Sequence, residues 1–404
     1  MIKLNPPLPV VAGGHPGFVT GMSATHARVE WSDGIKSQPA PTSAVISTGT
    51  KQYKIAIKSA DNQLIQFAES SLAVALDLLH GLRKGQHIDL CATEDVEHSG
   101  KKNGFDAVTL PVVALPEVAW NDVSTSTTFM GRTFSAPILI TGMTGGVARG
   151  TLINERLARA ASQCGVPMGV GSQRMALENP EHAGIFKLKD KFKDLFLIGN
   201  IGIGQLREAN YLDLCKRAVE MINADALAIH VNVLQELIQE EGDRDFRGLL
   251  DKIANVSASL AVQVIVKEVG AGLDVATAKA LNDRGVKYFD VGGSGGTSWA
   301  HIEGLRSDDS LIRRRGEIFR DWGIPTAEAV SSLRREIPDA QIIATGGIRD
   351  GLTALKALYI GANMVGIGLP LMRAALVGDD EPANLLRAVI QELKIAKICS
   401  GSIR

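Results

Sequence analysis

The chain has 404 residues, more than one average domain and enough for a barrel of about 250 residues with additions. Its 43 basic and 44 acidic side chains leave a formal net charge of -1, which excludes a general polyanion binder, so no nucleic-acid partner is expected. Hydrophobic residues at 45% supply a core, yet no apolar run approaches the ~18 residues of a spanning helix, which excludes a membrane span.

Residues 1–50 are rich in Pro, Gly, Ser and Thr, as in Leu4-Asn5-Pro6-Pro7 and Gln38-Pro39-Ala40-Pro41. That composition favours irregular structure or short strands. No basic region precedes an apolar stretch here, so a soluble, cytoplasmic protein is expected. Residues 51–59 alternate like a strand, and residues 66–82 have helical spacing. A small domain, an ordered arm and a partly disordered tail all stay open for residues 1–80. A barrel with a flanking N-terminal arm is expected over 81–404. Cys91, Cys164, Cys215 and Cys399 are far apart and form no C-x-x-C pair, as expected of reduced, mostly buried thiols rather than a zinc site.

From residue 138 a pattern repeats. Short apolar runs at 138–141, 168–170, 195–199, 226–231, 262–267, 288–291, 341–345 and 363–367 end in Gly, Thr, Asn, His or Lys. Helical stretches such as 152–164, 212–222 and 352–360 separate most of them. Continuous apolar strands alternating with helices indicate a parallel sheet covered on its faces. Eight such units predict an α/β fold, a closed (β/α)₈ TIM barrel with an N-terminal extension.

In such a barrel the loops after the strands build the active site. Polar and glycine-rich residues fall there repeatedly: Met143-Thr144-Gly145-Gly146, Gly171-Ser172-Gln173-Arg174, Asn200, His230-x-Asn232, Lys267 and residues 292–299. The seventh and eighth runs lead into Thr345-Gly346-Gly347-Ile348-Arg349-Asp350-Gly351 and Gly366-Ile367-Gly368-Leu369-Pro370. Glycines there let backbone N–H groups approach phosphate oxygens, and phosphate sites recur after strands seven and eight. Arg349 offers a bidentate contact. Lys267 places an ammonium at the barrel mouth; its alternative is a salt bridge with Glu268 or another carboxylate. In His230-Val231-Asn232-Val233-Leu234-Gln235-Glu236, period-2 geometry puts His230 and Asn232 on one side of the strand. A carboxylate beside amide and imidazole groups suits an oxygen-bound Mg²⁺ shared with substrate phosphates, and one histidine without a thiol does not suit zinc. The competing reading is a capped helix start beside a satisfied histidine.

Taken together these motifs resemble the type 2 isopentenyl diphosphate isomerase family. The resemblance covers about residues 83–375. It rests also on Arg83-Lys84-x-x-His87, Ala114-Leu115-Pro116-Glu117, Ser126-Thr127-Thr128-Phe129 and on residues 266–270, 295–299 and 321–326. It implies an isomerase of isoprenoid biosynthesis that interconverts isopentenyl and dimethylallyl diphosphate, with reduced FMN and Mg²⁺ as cofactors and NADPH as reductant. It implies FMN contacts from Thr144, Ser172, Asn200, Lys267, Thr297, Gly347, Arg349, Gly368 and Leu369. Diphosphate contacts fall on Arg83, Lys84, Arg174, His230 and Asn232, with Glu236 as the metal ligand. Gln235 lies by the reacting carbons and, with His230, is the expected catalytic residue. A homotetramer or larger assembly is implied as well.

The chemistry explains the cofactor. An unactivated alkene is a very weak base and its allylic C–H a very weak acid, whereas side chains tuned near neutral pH handle easier protons. Two departures from the family pattern stand out: residues 1–80 lie outside it, and Gly368-Leu369-Pro370 stands where relatives often show Ala-Arg-Pro. The nearest alternative, an FMN-dependent 2-hydroxy acid oxidase, takes its substrate proton with a histidine after the sixth strand; here none occurs until His301. An IMP dehydrogenase-like enzyme needs a nucleophilic cysteine nearby, and a non-catalytic flavin-binding module leaves Gln235 and Glu236 unexplained.

Overall fold

The structure, a computed structural model, describes residues 2–12, 15–22, 26–31, 43–48, 51–60, 64–68, 72–143, 148–240 and 242–402. Its contacts divide it into two units, 1–87 with 306–311, and 88–305 with 312–404. The expected boundary at residue 80 falls inside the helix Leu72–Thr93.

The first unit contains six antiparallel strands, β1 (Ile2–Ala12), β2 (His15–Met22), β3 (His26–Trp31), β4 (Ser43–Thr48), β5 (Lys51–Ala60) and β6 (Leu64–Phe67). They close into a barrel in the order β1-β2-β3-β6-β5-β4. Alternate residues fill it: Ala27 and Val29 are buried on either side of exposed Arg28, and Ala44 and Ile46 repeat the spacing. The Pro6-Pro7 pair falls inside β1, where the pairing with β2 slips between Lys3 and Leu8. Proline has no N–H to give a ladder, so the break belongs there. The helix expected over 66–82 begins later, at Leu72. Gln66 and Phe67 end β6 instead, because Phe67 completes this small core.

The second unit is a closed parallel barrel of eight strands: β9 (Ile138–Ile140), β10 (Met168–Gly169), β11 (Leu197–Gly202), β12 (Ala226–Val231), β13 (Gln263–Glu268), β14 (Tyr288–Asp290), β15 (Gln341–Thr345) and β16 (Met364–Ile367). β16 closes onto β9, with Ile367 opposite Ile140. Every expected strand is present. β10 is the shortest, and β11 runs to Gly202 rather than 199, because its ladder with β12 continues through Gly202 opposite His230. The outward parity of these strands, Leu227, Ile229, Val264 and Val266 among them, packs under the surrounding helices.

The inward parity builds a second core. Leu139, Ile198, Ala226, Ala228, Ile265, Ile343 and Met364 meet inside the barrel. A two-stranded hairpin, β7 (Thr127–Phe129) and β8 (Arg132–Phe134), adds Phe129 and Phe134 to that cluster. Phe129 meets Tyr288 edge-on at 5.5 Å, and Phe134 meets Phe196 at 5.3 Å. No helix among the described residues is long and apolar enough to cross a membrane.

Candidate active site

One step further along each strand the same inward parity changes from apolar to polar. Asn200, His230, Lys267, Asp290 and Thr345 occupy it, and three of them are adjacent: His230 lies opposite Lys267, and Lys267 opposite Asp290. Asn200, Lys267 and Asp290 are buried. A polar layer above an apolar plug needs internal partners, since burying such groups unpaired is costly.

Hydrogen bonds supply them for Asn200, His230, Lys267 and Asp290. His230 Nδ1 lies 2.7 Å from Asn200 Oδ1, and Asn200 Nδ2 donates to the Val170 carbonyl at 3.0 Å. The Asn200 backbone N–H donates to Gln173 Oε1 at 2.8 Å. Glycine makes room for the imidazole: a Cβ at Gly202 would sit 2.7 Å from His230 Nε2.

Asn232 ends the strand segment and precedes the helix Val233–Ile238. Its amide donates to Gln235 Oε1 at 3.2 Å and to Glu236 Oε1 at 2.8 Å, while its own Oδ1 is buried without a hydrogen-bond partner among the described residues. The second Glu236 oxygen accepts the Asp243 N–H at 2.9 Å. Gln235 Nε2 donates to Glu303 at 2.7 Å, and Gln239 donates to the same oxygen at 3.1 Å. Glu303 is almost fully buried, so the Gln235 amide is fixed from a different βα unit.

Lys267 Nζ donates to the Glu268 backbone carbonyl at 2.9 Å and stands 3.9 Å from Asp290 Oδ2. The carboxylate partner is therefore Asp290, not Glu268. Burial pushes the Asp290 carboxyl above the usual range, opposed by the Lys267 ammonium. One oxygen of Glu268 accepts four backbone N–H groups, from Val269 to Gly272, at 2.5–3.0 Å. Burial raises its carboxyl as well, against those bonds.

The glycine loops after β14 and β15 lie backbone against backbone. Gly346 and Gly347 adopt φ of 122° and 73°, conformations that disfavour a side chain. A Cβ at Gly296 would sit 2.5 Å from the Gly347 nitrogen. Arg349 donates to the Gly347 carbonyl at 3.0 Å and pairs with Glu97. Thr297, half-buried, bridges to Glu97. Gly368 caps the helix Leu369–Val377, which opens on half-buried Leu369. Ser172 Oγ accepts the Arg174 N–H at 3.5 Å, and the Arg174 guanidinium pairs with Glu178 at 2.7 Å.

His230, Asn200 and Lys267 thus share one layer, Asn232, Gln235 and Glu236 form one cluster beside it, and Ser172 and Arg174 occupy the loop that touches Asn200. Arg83 and Lys84 lie on the helix Leu72–Thr93 in the first unit. Thr144 lies outside the described residues. Four participants were given no role in sequence. Asp290 carried a signal, being two residues after Tyr288 on a short strand, and Gln173 stood inside the Gly171-Ser172-Gln173-Arg174 motif. Glu303 and Glu97 carried none, because their contacts join distant parts of the chain.

A family model described as FMN-dependent dehydrogenase matches residues 206–402. Solved mandelate oxidase structures, one with an FMN adduct, match at 19–20% identity and TM-score 0.53, covering 78% and 81% of this chain and 90% and 93% of theirs. At that identity the likeness concerns the fold, and His301, the first histidine after β14, is turned to Glu317 at 3.2 Å. Isopentenyl-diphosphate delta-isomerase of Nostoc sp. is 43% identical over 320 residues, covering 79% of this chain and 91% of that protein. The enzymes of Stutzerimonas stutzeri, 43% identical over 321 residues (79% and 93% covered), and Xanthobacter autotrophicus, 44% over 323 (80% and 94%), agree. With the barrel, the inward polar layer and these relatives in hand, the chain belongs to the isopentenyl-diphosphate delta-isomerase family.

Proposed function

We propose that this chain interconverts isopentenyl and dimethylallyl diphosphate with reduced FMN and Mg²⁺ held at the C-terminal rim of the β9–β16 barrel. The observation that carries this reading is the adjacency of His230 and Lys267 on neighbouring strands, with the Asn232–Glu236 cluster directly following His230.

The residues fit each group. For Mg²⁺ the chain offers oxygen only: the Glu236 carboxylate and the buried Asn232 Oδ1 that has no hydrogen-bond partner among the described residues. Two protein oxygens would leave diphosphate and water to complete the shell of a bound Mg²⁺. For FMN the chain offers a buried ammonium at Lys267, the Asn200 amide, and glycine backbone after β15 and β16, with Ser172, Thr297, Arg349 and Leu369 around them. Lys267 supplies positive charge to a reduced, anionic ring.

When bound, reduced FMN supplies a proton donor and acceptor suited to an unactivated alkene. The chain's own work is binding and orientation. His230, Arg174 and Asn232 hold the diphosphate, whose remote binding energy positions the reacting carbons. Gln235, fixed by Glu303, holds its amide beside those carbons. Arg83 and Lys84 are assigned to the diphosphate on family resemblance alone. NADPH is the reductant in this reading, and the assembly is a homotetramer or larger.

The test is turnover of isopentenyl diphosphate by the purified protein, followed by product analysis, with FMN, NADPH and Mg²⁺ supplied anaerobically and omitted in turn. Dimethylallyl diphosphate formed only with flavin and Mg²⁺ present supports the reading. Flavin bound without product, or product formed without Mg²⁺, contradicts it.

A further inference from the structure

His230 Nδ1 faces Asn200 Oδ1 at 2.7 Å, and the orientation of that amide is settled by its other end. Asn200 Nδ2 points at the Val170 carbonyl, which can only accept. The oxygen therefore faces the imidazole, and an amide oxygen also only accepts. The hydrogen on this contact must come from His230 Nδ1.

Asn200 is held in turn by Gln173. The Gln173 side chain is fully buried, accepts the Asn200 backbone N–H at 2.8 Å, and donates from Nε2 to the Ala218 carbonyl at 2.8 Å. The Gln173 backbone N–H donates to the Asn200 carbonyl at 2.9 Å. Asn200 is thus clamped on both its backbone groups by one residue. A Cβ at Gly199 would sit 2.9 Å from Gln173 Oε1, so the chain keeps space for this side chain.

We infer that Gln173 is a positioning residue for the diphosphate subsite: through Asn200 it fixes the ring plane of His230 and commits Nδ1–H to Asn200, leaving Nε2 as the nitrogen that donates to the diphosphate in the imidazolium form. The relay also ties His230 to the loop that carries Ser172 and Arg174, because Gln173 lies between them in sequence. This inference rests on the assignment of His230 to the diphosphate. A fixed imidazole loses no orientational freedom when the anion arrives, so the effect belongs to binding rather than to the chemical step.

The test uses the flavin-loaded protein with ring-labelled [¹⁵N]histidine, the His230 resonance being assigned with His230→Ala. Without substrate, the neutral imidazole of the wild type is expected to carry its proton on Nδ1. In Gln173→Leu that preference is expected to weaken, with KM for isopentenyl diphosphate raised on the order of tenfold and kcat changed less than about threefold. Gln173→Glu, which in its protonated form keeps both the acceptor toward Asn200 and the donor toward the Ala218 carbonyl, is expected to restore most of both. A wild-type proton on Nε2 overturns the inference without any variant. So does a folded Gln173→Leu with tautomer and KM unchanged. An unchanged KM in His230→Ala instead overturns the diphosphate assignment, and the substrate-free tautomer measurement then decides the relay by itself.

Discussion

Gly202 sits opposite His230 across the β11–β12 ladder, and a Cβ there would lie 2.7 Å from Nε2 and 2.9 Å from Cε1. Gly202→Ala is expected to push the imidazole off Asn200 and raise KM on the order of tenfold, with flavin retained; steady-state kinetics and the flavin absorbance of the purified variant check it. Glu236 gives a complementary test. Glu236→Ala removes the carboxylate that the Asn232 amide donates to, and turnover with Mg²⁺ is expected to fall on the order of a hundredfold or more while flavin stays bound. Full turnover in that variant would remove Glu236 from the metal site. His230, Lys267 and Glu236 were legible in the sequence because each follows or ends an apolar run whose parity fixes direction. Glu303 was not, since a glutamate in the helix Trp299–Arg306 reads as an ordinary helical residue until the fold brings Gln235 against it.

The hairpin β7–β8 belongs to the apolar half of the barrel interior, and Phe129 is its most testable contact. Phe129→Ala removes a buried ring from the cluster with Tyr288, Ile265 and Met364 and is expected to cost roughly 3–5 kcal/mol, measured by denaturant unfolding followed by circular dichroism. A loss under about 1 kcal/mol would mean that the hairpin does not pack there as described. Eight parallel strands were readable because each is a continuous apolar run between amphipathic helices. β10 was the faintest: with only Met168 and Gly169 in its ladder, part of its hydrogen bonding with β11 is taken over by the Gln173 side chain. In the first unit β5 was readable from the alternation over 51–59, while the other strands were faint for a different reason. Proline, glycine and serine interrupt their alternation, so composition spoke for irregular chain or short strands, and the inward role of Phe67 emerges only when β6 pairs with β3 and β5.

Across the whole chain, a near-neutral charge balance and four thiols gave the broadest expectations, and the thiols give a simple check. Cys91, Cys164 and Cys215 are buried and Cys399 is exposed. Burial pushes the Cys91 and Cys215 thiols up to about 12, which keeps them protonated near neutral pH, and the thiolate is the form that reacts. One fast-reacting thiol is expected in the native protein and four after denaturation, counted with a chromogenic disulfide reagent; two or more fast native thiols would contradict the burial described. One rim of the β9–β16 barrel is proposed to gather flavin, metal and diphosphate. Crystals of the protein grown with oxidised FMN, Mg²⁺ and isopentenyl diphosphate are the decisive experiment. The diphosphate is expected against His230 and Asn232, a metal ion at Glu236 and the flavin ring beside Lys267. Flavin or diphosphate bound away from those side chains would contradict it.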